Sequence, residues 1–251
     1  MLNVFVGYDA REDEAYRVCQ FSIVSRASKP VNIVPMKHRE LRRVGLFDRP
    51  WRIDERGQYF DERDGKPFST EFSHSRFLVP AYAAQLGISQ GWVLFCDCDF
   101  LFQADIANLF ALADPAYAVM VVKHTHKPPE GLKMDGVAQL RYRRKNWSSL
   151  VLWNLGHGAN DQMTASLANT LAGSALHAFG WLKNKEIGTL PQEWNFLVGY
   201  TKATDSAIKA LHFTDSGPWM REPRDDPDRL WINEQSRMKH PRPTTALKVV
   251  A

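Results

Sequence analysis

Trp92-Val93-Leu94-Phe95-Cys96-Asp97-Cys98-Asp99-Phe100 sets an unbroken apolar run directly before two carboxylates two residues apart, and Leu101-Phe102 resumes the apolar character. A short continuous apolar run of this kind reads as a fully buried strand. On an extended backbone alternate side chains share a face, so Asp97 and Asp99 point one way and Cys96 and Cys98 the other. Neighbouring carboxylates repel and lose solvation when partly buried, and a divalent cation relieves both penalties. Oxygen ligands suit Mg2+ or Mn2+, ions that typically bridge carboxylates to substrate phosphates. The same tripeptide also occurs at strand ends where it only bonds nearby backbone. Its place after a buried strand favours the ligand reading, because open α/β sheets bind ligands beyond the carboxyl ends of their strands.

The remaining chain is compatible with such a sheet. With 251 residues it has length for one sizeable core. Hydrophobic residues at 44% and charged ones at 24% are ordinary for a globule. A net charge of +4 suits an anionic ligand without calling for nucleic acid, and neither a recognition helix nor a basic aromatic platform is evident. Cys19, Cys96 and Cys98 form no disulfide framework, which points to a reducing compartment. Cys96 and Cys98 are also spaced too closely for an ordinary zinc site. Met1 leads straight into Val4-Phe5-Val6 without a basic, apolar leader, and no run approaches the ~18 apolar residues of a membrane span. The expected location is cytoplasmic.

Upstream of the central run, Leu2 to Gly7 reads as a strand, Tyr8 to Arg11 as a turn, and residues 12–25 as an amphipathic helix. Val31 to Pro35 is a second strand. Residues 37–67 mix Arg, Asp, Glu, Gly and Pro without a period and read as an irregular surface excursion, with a hairpin around Gly57 and Gly65. Arg42, Arg43, Arg49 and Arg52 within it would either sit solvated among the acids or grip a polyanion. A helix is expected through Leu86, capped by Ser69 or Thr70. On it Arg76 would reach the carboxylates or lay its stem on apolar surface.

Downstream, Leu101 to Phe110 reads as a turn and short helix, and Tyr117 to Val122 as a buried strand. His124 and His126 follow among lysines, in a loop. Four basic residues, Arg141, Arg143, Arg144 and Lys145, precede the apolar run Val151-Leu152-Trp153-Asn154 and would hold phosphate or form a solvated charge run. Asn160 to Leu171 reads as a helix. The stretches 176–182 and 187–195 are rich in Trp, Gly and amides, which suit either a sugar face or an aromatic core. His212, near the end of a last strand, is the histidine best placed as a metal ligand, since neutral imidazole suits manganese beside carboxylates, or else it is a half-buried structural histidine. Residues 1–220 read as one domain and 221–251 as an extension, docked or partly disordered.

The ordered set of motifs resembles the retaining glycosyltransferases of the glycogenin and bacterial lipopolysaccharide galactosyltransferase group, with nearest likeness to a bacterial glycosyltransferase-like branch. The resemblance covers most of residues 3–219. It is carried by Leu94-Phe95-Cys96-Asp97-Cys98-Asp99-Phe100, similar to the group's strand and Asp-x-Asp motif, and by Leu211-His212-Phe213-Thr214 with Gly217-Pro218-Trp219. It implies a GT-A-like α/β domain with a mixed, mostly parallel central sheet flanked by helices. Asp97 would face ribose and metal, Asp99 would hold the metal, and His212 would complete the protein ligands of Mn2+ or Mg2+. Val6, Gly7, Asp9, Asp13 and Tyr16 would form the nucleotide-base pocket, Arg76 would lie near the diphosphate, and Asn154 would line the sugar and acceptor region. Asn195 corresponds to the asparagine of a later short motif, and with Gly217 it would contact the nucleotide sugar. Gly217, Pro218 and Trp219 are contiguous, with no intervening lysine, so either Arg144 or Lys145 would take that residue's phosphate contact or the phosphate grip would be weaker. His177 stands nearest the place of the group's Asp-Gln pair.

The expected activity is metal-dependent transfer of a hexose from a nucleotide-diphosphate sugar to a carbohydrate or other hydroxyl acceptor, with retention. Retention is implied by the resemblance alone. Two alternatives stay open: a nucleotide-sugar-binding protein without catalysis, and a sugar-phosphate nucleotidyltransferase. The latter would need a Gly-rich basic loop after the first strand, and Gly7-Tyr8-Asp9-Ala10-Arg11 is sparse for that.

Overall fold

The computed structural model describes residues 1–125, 131–132, 138–139, 144–202 and 205–240. His126, Arg141, Arg143 and the end of the C-terminal extension lie outside the described residues.

The chain opens with β1 (Leu2–Gly7), α1 (Asp13–Val24) and β2 (Val31–Met36). Next come α2 (His38–Arg43), β3 (Trp51–Ile53), β4 (Tyr59–Asp61), β5 (Lys66–Phe68) and α3 (Val79–Gln85). The central run forms β6 (Trp92–Cys96), followed by β7 (Phe100–Phe102), α4 (Ala107–Phe110) and β8 (Val119–Val121). A small antiparallel pair, β9 (Gly131–Leu132) and β10 (Ala138–Gln139), precedes β11 (Leu150–Asn154). Then α5 (Ala165–Thr170), α6 (Gly173–His177), β12 (Ile187–Thr189), β13 (Phe196–Leu197), β14 (Ala210–His212) and α7 (Asp226–Lys239) complete the described order.

Six strands form the main sheet in the order β12-β8-β11-β6-β1-β2. All pairings are parallel except those of β11, which runs antiparallel to both neighbours. The expected single α/β domain with a mixed, largely parallel sheet is therefore present. Val93 to Cys96 and Leu150 to Leu152 are sealed from solvent, as an inner strand flanked on both faces requires. The reversal of β11 decides which of its ends meets the acids. Leu150 pairs with Cys96 and Asn154 with Trp92, so the Ser148-Ser149 end lies beside Asp97, whose N–H donates to the Ser149 carbonyl at 2.9 Å. Asn154 stands at the opposite end of the sheet.

A second, three-stranded sheet, β13-β14-β7, crosses the carboxyl edge of the first. The expected turn after Asp99 is in part strand β7, and its antiparallel pairing sets His212 opposite Phe100. Beneath it α7 packs on α1. Asp225 caps α7 by accepting from the Asp228 N–H, Trp231 packs 5.3 Å from Trp219, and Arg26 pairs with Glu234.

The segment 37–67 is more ordered than its composition suggests. It holds α2 and the antiparallel meander β3-β4-β5, turned at Gly57 and Gly65, whose φ values of 77° and 61° favour residues without a Cβ. Its expected basic residues all meet groups of the protein itself. Arg43 pairs with Glu40, Arg42 donates to the Arg49 carbonyl, and Arg52 lies over Phe60. Arg49 is only 1% exposed and sits between Asp61 at 2.6 Å and Asp64 at 2.8 Å. It also donates to the Asn169 and Leu171 carbonyls, binding the meander to α5. The expected helix through Leu86 is likewise shorter, since residues 75–78 form a 3-10 turn and Pro80 sits in the first turn of α3.

Removing one partner of a buried charge cluster strands the others. Arg49→Met should therefore lower the unfolding free energy by about 3–5 kcal/mol, measured by urea denaturation. A loss below about 1 kcal/mol, the ordinary size for a surface ion pair, would show that Arg49 does not anchor the meander.

Candidate metal and sugar-nucleotide site

At Cys96 the strand stops, and Asp97-Cys98-Asp99 makes the turn into β7. Cys98 and Asp99 lie in the turn, and the side chains still divide between cleft and core. Asp97 and Asp99 line a cleft, whereas Cys98 is buried and its thiol contacts Oε2 of Glu12 at 3.0 Å. Across the β7–β14 pairing, the Phe213 N–H donates to the Asp99 carbonyl at 3.0 Å. That bond brings Nε2 of His212 to 3.3 Å from Oδ2 of Asp99. Ligand atoms of Asp97, Asp99 and His212 all lie within 4.8 Å of one another, and this set could hold a divalent cation. Two carboxylate oxygens and an imidazole nitrogen fit Mn2+ or Mg2+.

The electrostatics favour a positive charge here. Burial pushes the Asp97 carboxyl up to about 7; Arg76 pulls it down and the Asp99 charge pushes it further up. Arg76 reaches Asp97 at 2.7 Å and donates to the Ser148 carbonyl, so of its two expected placements it takes the one that faces the carboxylates. Glu12, which the sequence did not single out, is pushed up to about 8 by burial and then by Asp99. No motif marks it; only the packing of α1 against β7 brings it near.

The cleft encloses about 220 Å³ and extends from the Asp97, Asp99 and His212 end past Arg76 and His177 to Asp64, His74 and Ser174. Lys145 and Thr214 also line it. His177 is held by Ser148, with Oγ and Nδ1 2.7 Å apart, and burial keeps its imidazole well below the ordinary range, hence neutral. A second cluster, Asp61, Asp64 and His74, has metal-ligand spacing too. Arg49 already supplies positive charge between its two carboxylates, so the first cluster is the better cation site. Sequence reading missed this second group because its members are scattered through a segment without periodicity.

Several expected residues lie elsewhere. Asn154 bonds the Tyr117 carbonyl and the Gly156 N–H at the far end of β11, a correction that follows from that strand's reversed direction. Ser148 and Ser149 take the position by the acids. Arg144 donates to the Ala178 carbonyl and to Asn184, tying two segments together, and does not line the cleft; Lys145 does. Asp9 is wholly buried, accepting from Arg11, Tyr59 and the Glu71 N–H, so it braces the meander and has no surface for a base. A Cβ on Gly7 would stand 2.5 Å from the Phe72 ring, so this glycine serves close packing of a cleft-lining aromatic. Val6 is sealed in β1. Asp13 accepts from Tyr8, whose ring meets Tyr16 edge-on at 5.2 Å, beside the carboxyl end of β1. Gly217 packs under the Trp219 ring, outside the cleft lining. Asn195 has no exposed surface and touches His212 and Ser149. Two of the tryptophans in the aromatic stretches pack as core, Trp194 buried and Trp181 stacked on Trp153 at 6.0 Å, while His177 lines the cleft.

A cation must displace the Asp97 proton below the pKa of that group. Mn2+ affinity, measured by calorimetry, should therefore fall as the pH drops below about 7, by up to about tenfold per unit. A flat profile from pH 7 downward would remove Asp97 from the ligand set.

Comparison with known proteins bears on fold and family. No protein-family model matches the chain. The glycosyltransferase GlyE of Streptococcus pneumoniae TIGR4 superposes with a TM-score of 0.58 at 12% identity, over 94% of this chain and 61% of that one. The chain thus spans less than two thirds of GlyE. The galactosyltransferase LgtC, solved with donor and acceptor sugar analogs, superposes with a TM-score of 0.53 at 11% identity, over 94% of this chain and 95% of that one. These likenesses establish a GT-A-like fold. Protein CDI of Arabidopsis thaliana is 47% identical over 236 residues, 92% of this chain and 85% of that protein. At 47% identity over most of both chains, the chain belongs to the family of the Arabidopsis thaliana Protein CDI.

Proposed function

We propose that the protein transfers a hexose from a nucleotide-diphosphate sugar to a hydroxyl acceptor, assisted by Mn2+ or Mg2+, with retention. The observation that carries this reading is the convergence of Asp97, Asp99 and His212 within 4.8 Å at the mouth of a cleft. A bound divalent ion there would neutralise charge developing on the departing diphosphate.

The chain's own groups have distinct tasks in this scheme. Lys145 would hold diphosphate oxygens at the cleft wall, in place of the family-like lysine missing before Pro218. Arg76 is fixed between Asp97 and the Ser148 carbonyl, so it presents its charge to the donor without reordering. The neutral His177 and the Ser148 hydroxyl offer hydrogen bonds to sugar hydroxyls beyond the metal end. The base would lie over Tyr8, Asp13 and Tyr16 at the carboxyl end of β1. Among the described residues the cleft holds two further carboxylates, Asp61 and Asp64, and both are engaged by Arg49. We therefore assign no covalent nucleophile. The buried free cysteines fit a reducing, cytoplasmic setting.

Asp99→Ala should abolish metal-dependent transfer or hydrolysis of the donor while the protein stays folded. Loss of one transition-state electrostatic contact costs about 3 kcal/mol, a hundredfold or more in rate. Arg52→Ala, on the exposed meander, should change the rate less than about twofold. Calorimetry of several nucleotide sugars with and without Mn2+ tests the scheme: one donor should bind only with metal. Full turnover in a folded Asp99→Ala protein contradicts it, and metal-dependent binding without turnover on any acceptor would instead indicate a binding protein.

A further inference from the structure

Behind the metal end of the cleft, three buried polar contacts run in series. Nδ1 of His212 lies 2.9 Å from Oδ1 of Asn195, Nδ2 of Asn195 donates to Oγ of Ser149 at 2.9 Å, and the Ser149 hydroxyl donates to the Asn146 carbonyl at 2.8 Å. Asn195 is 0% exposed, so water cannot substitute for any of these partners.

The direction of the series follows from its fixed end. A backbone carbonyl only accepts, so the single Ser149 proton must point at Asn146. Oγ of Ser149 can then only accept from Asn195, which turns the amide NH2 toward the serine. The amide oxygen is left facing His212, and it too can only accept. Nδ1 of His212 must therefore carry the hydrogen. The reverse order would leave the Asn146 carbonyl facing a serine lone pair at hydrogen-bond distance, a buried bond left unmade. The ring plane is fixed as well, since Phe100 stacks on His212 at 4.4 Å and 17°.

We infer that Asn195 is a positioning residue: through Ser149 and the Asn146 carbonyl it locks His212 in the tautomer whose Nε2 lone pair faces Asp99 and Asp97, preset to receive a divalent cation. The inference rests on the proposed reading of the cleft as a cation-assisted transfer site. It departs from the expectation that Asn195 meets the donor, for the residue has no surface in the cleft. Two acceptors, Nε2 of His212 and Oδ2 of Asp99, then face each other at 3.3 Å, an arrangement that calls for positive charge between them. Partners behind a metal-binding histidine commonly set its tautomer and orientation in this way.

The test is 15N-imidazole NMR of the metal-free protein, recorded above the pH at which the imidazolium signal disappears, together with Mn2+ calorimetry. The wild type should show His212 protonated on Nδ1 with Nε2 bare. In Asn195→Leu the proton should move to Nε2, where Asp99 accepts it, and Mn2+ affinity should fall about 10- to 100-fold. Should that variant not fold, Ser149→Ala keeps Asn195 but frees its amide to turn, and should yield both tautomers with a smaller loss of affinity in the same direction. A wild-type imidazole protonated on Nε2 overturns the inference, as does an unchanged tautomer in the folded variants. Because the tautomer is read without metal or substrate, a wild type that carries it but fails to bind Mn2+ would count against the proposed function and not against this assignment of Asn195.

Discussion

Negative charge held close together at the carboxyl end of β6 is the constraint on which the rest depends. Oxygens of Asp97 and Asp99 lie within 4.8 Å, and two full charges at that separation repel by roughly 3 kcal/mol or more at an effective dielectric of about 20. Burial first, and then the Asp99 charge, push the Asp97 carboxyl upward, while Arg76 placed against it pulls the other way. His212 arrives from β14, far along the chain, because β7 and β14 pair antiparallel with Phe100 opposite His212. A divalent ion would complete what Arg76 only begins. Arginine placement and cleft chemistry both answer this local excess of charge, which the apolar sheet holds in place.

The same device appears a second time with a different outcome. At Arg49 a buried guanidinium meets two carboxylates and fills the role that a cation would have. That cluster also carries bonds to α5 through Asn169 and to α6 through the Gly173 N–H donating to Asp64. Its work is to hold the meander as a wall of the cleft. Contrast between the two clusters explains the preference for Asp97, Asp99 and His212: there the arginine approaches one carboxylate from the side, and the imidazole stands across from the other.

Much of this was legible in the residues. The apolar run before Asp97 marks a buried inner strand, and acids following such a strand fall at the ligand edge of a sheet. Helical spacing of apolar residues over 12–25 locates α1 to within a residue. His212 was legible as a strand-end histidine, but its partner was not, since Phe100-Leu101-Phe102 is too short to announce a strand. Asn154 was misplaced because nothing in Leu150–Asn154 reveals which way the strand runs; only pairing with both neighbours does. Arg49, Asp61, Asp64 and His74 escaped notice because a charged residue in an aperiodic stretch ordinarily marks solvent, and here they satisfy one another inside. Asn195 was visible as part of a short motif, yet its role behind His212 depends on a bond direction that no spacing encodes.

The central claim is that one cation is shared by the two acids and the imidazole. Anomalous diffraction at the manganese edge, from crystals soaked in Mn2+, measures this directly. A single strong peak within about 2.5 Å of a carboxylate oxygen of Asp97, one of Asp99 and Nε2 of His212 is the expected result. A peak at Asp61, Asp64 and His74 instead, or none in the cleft at saturating Mn2+, would contradict it.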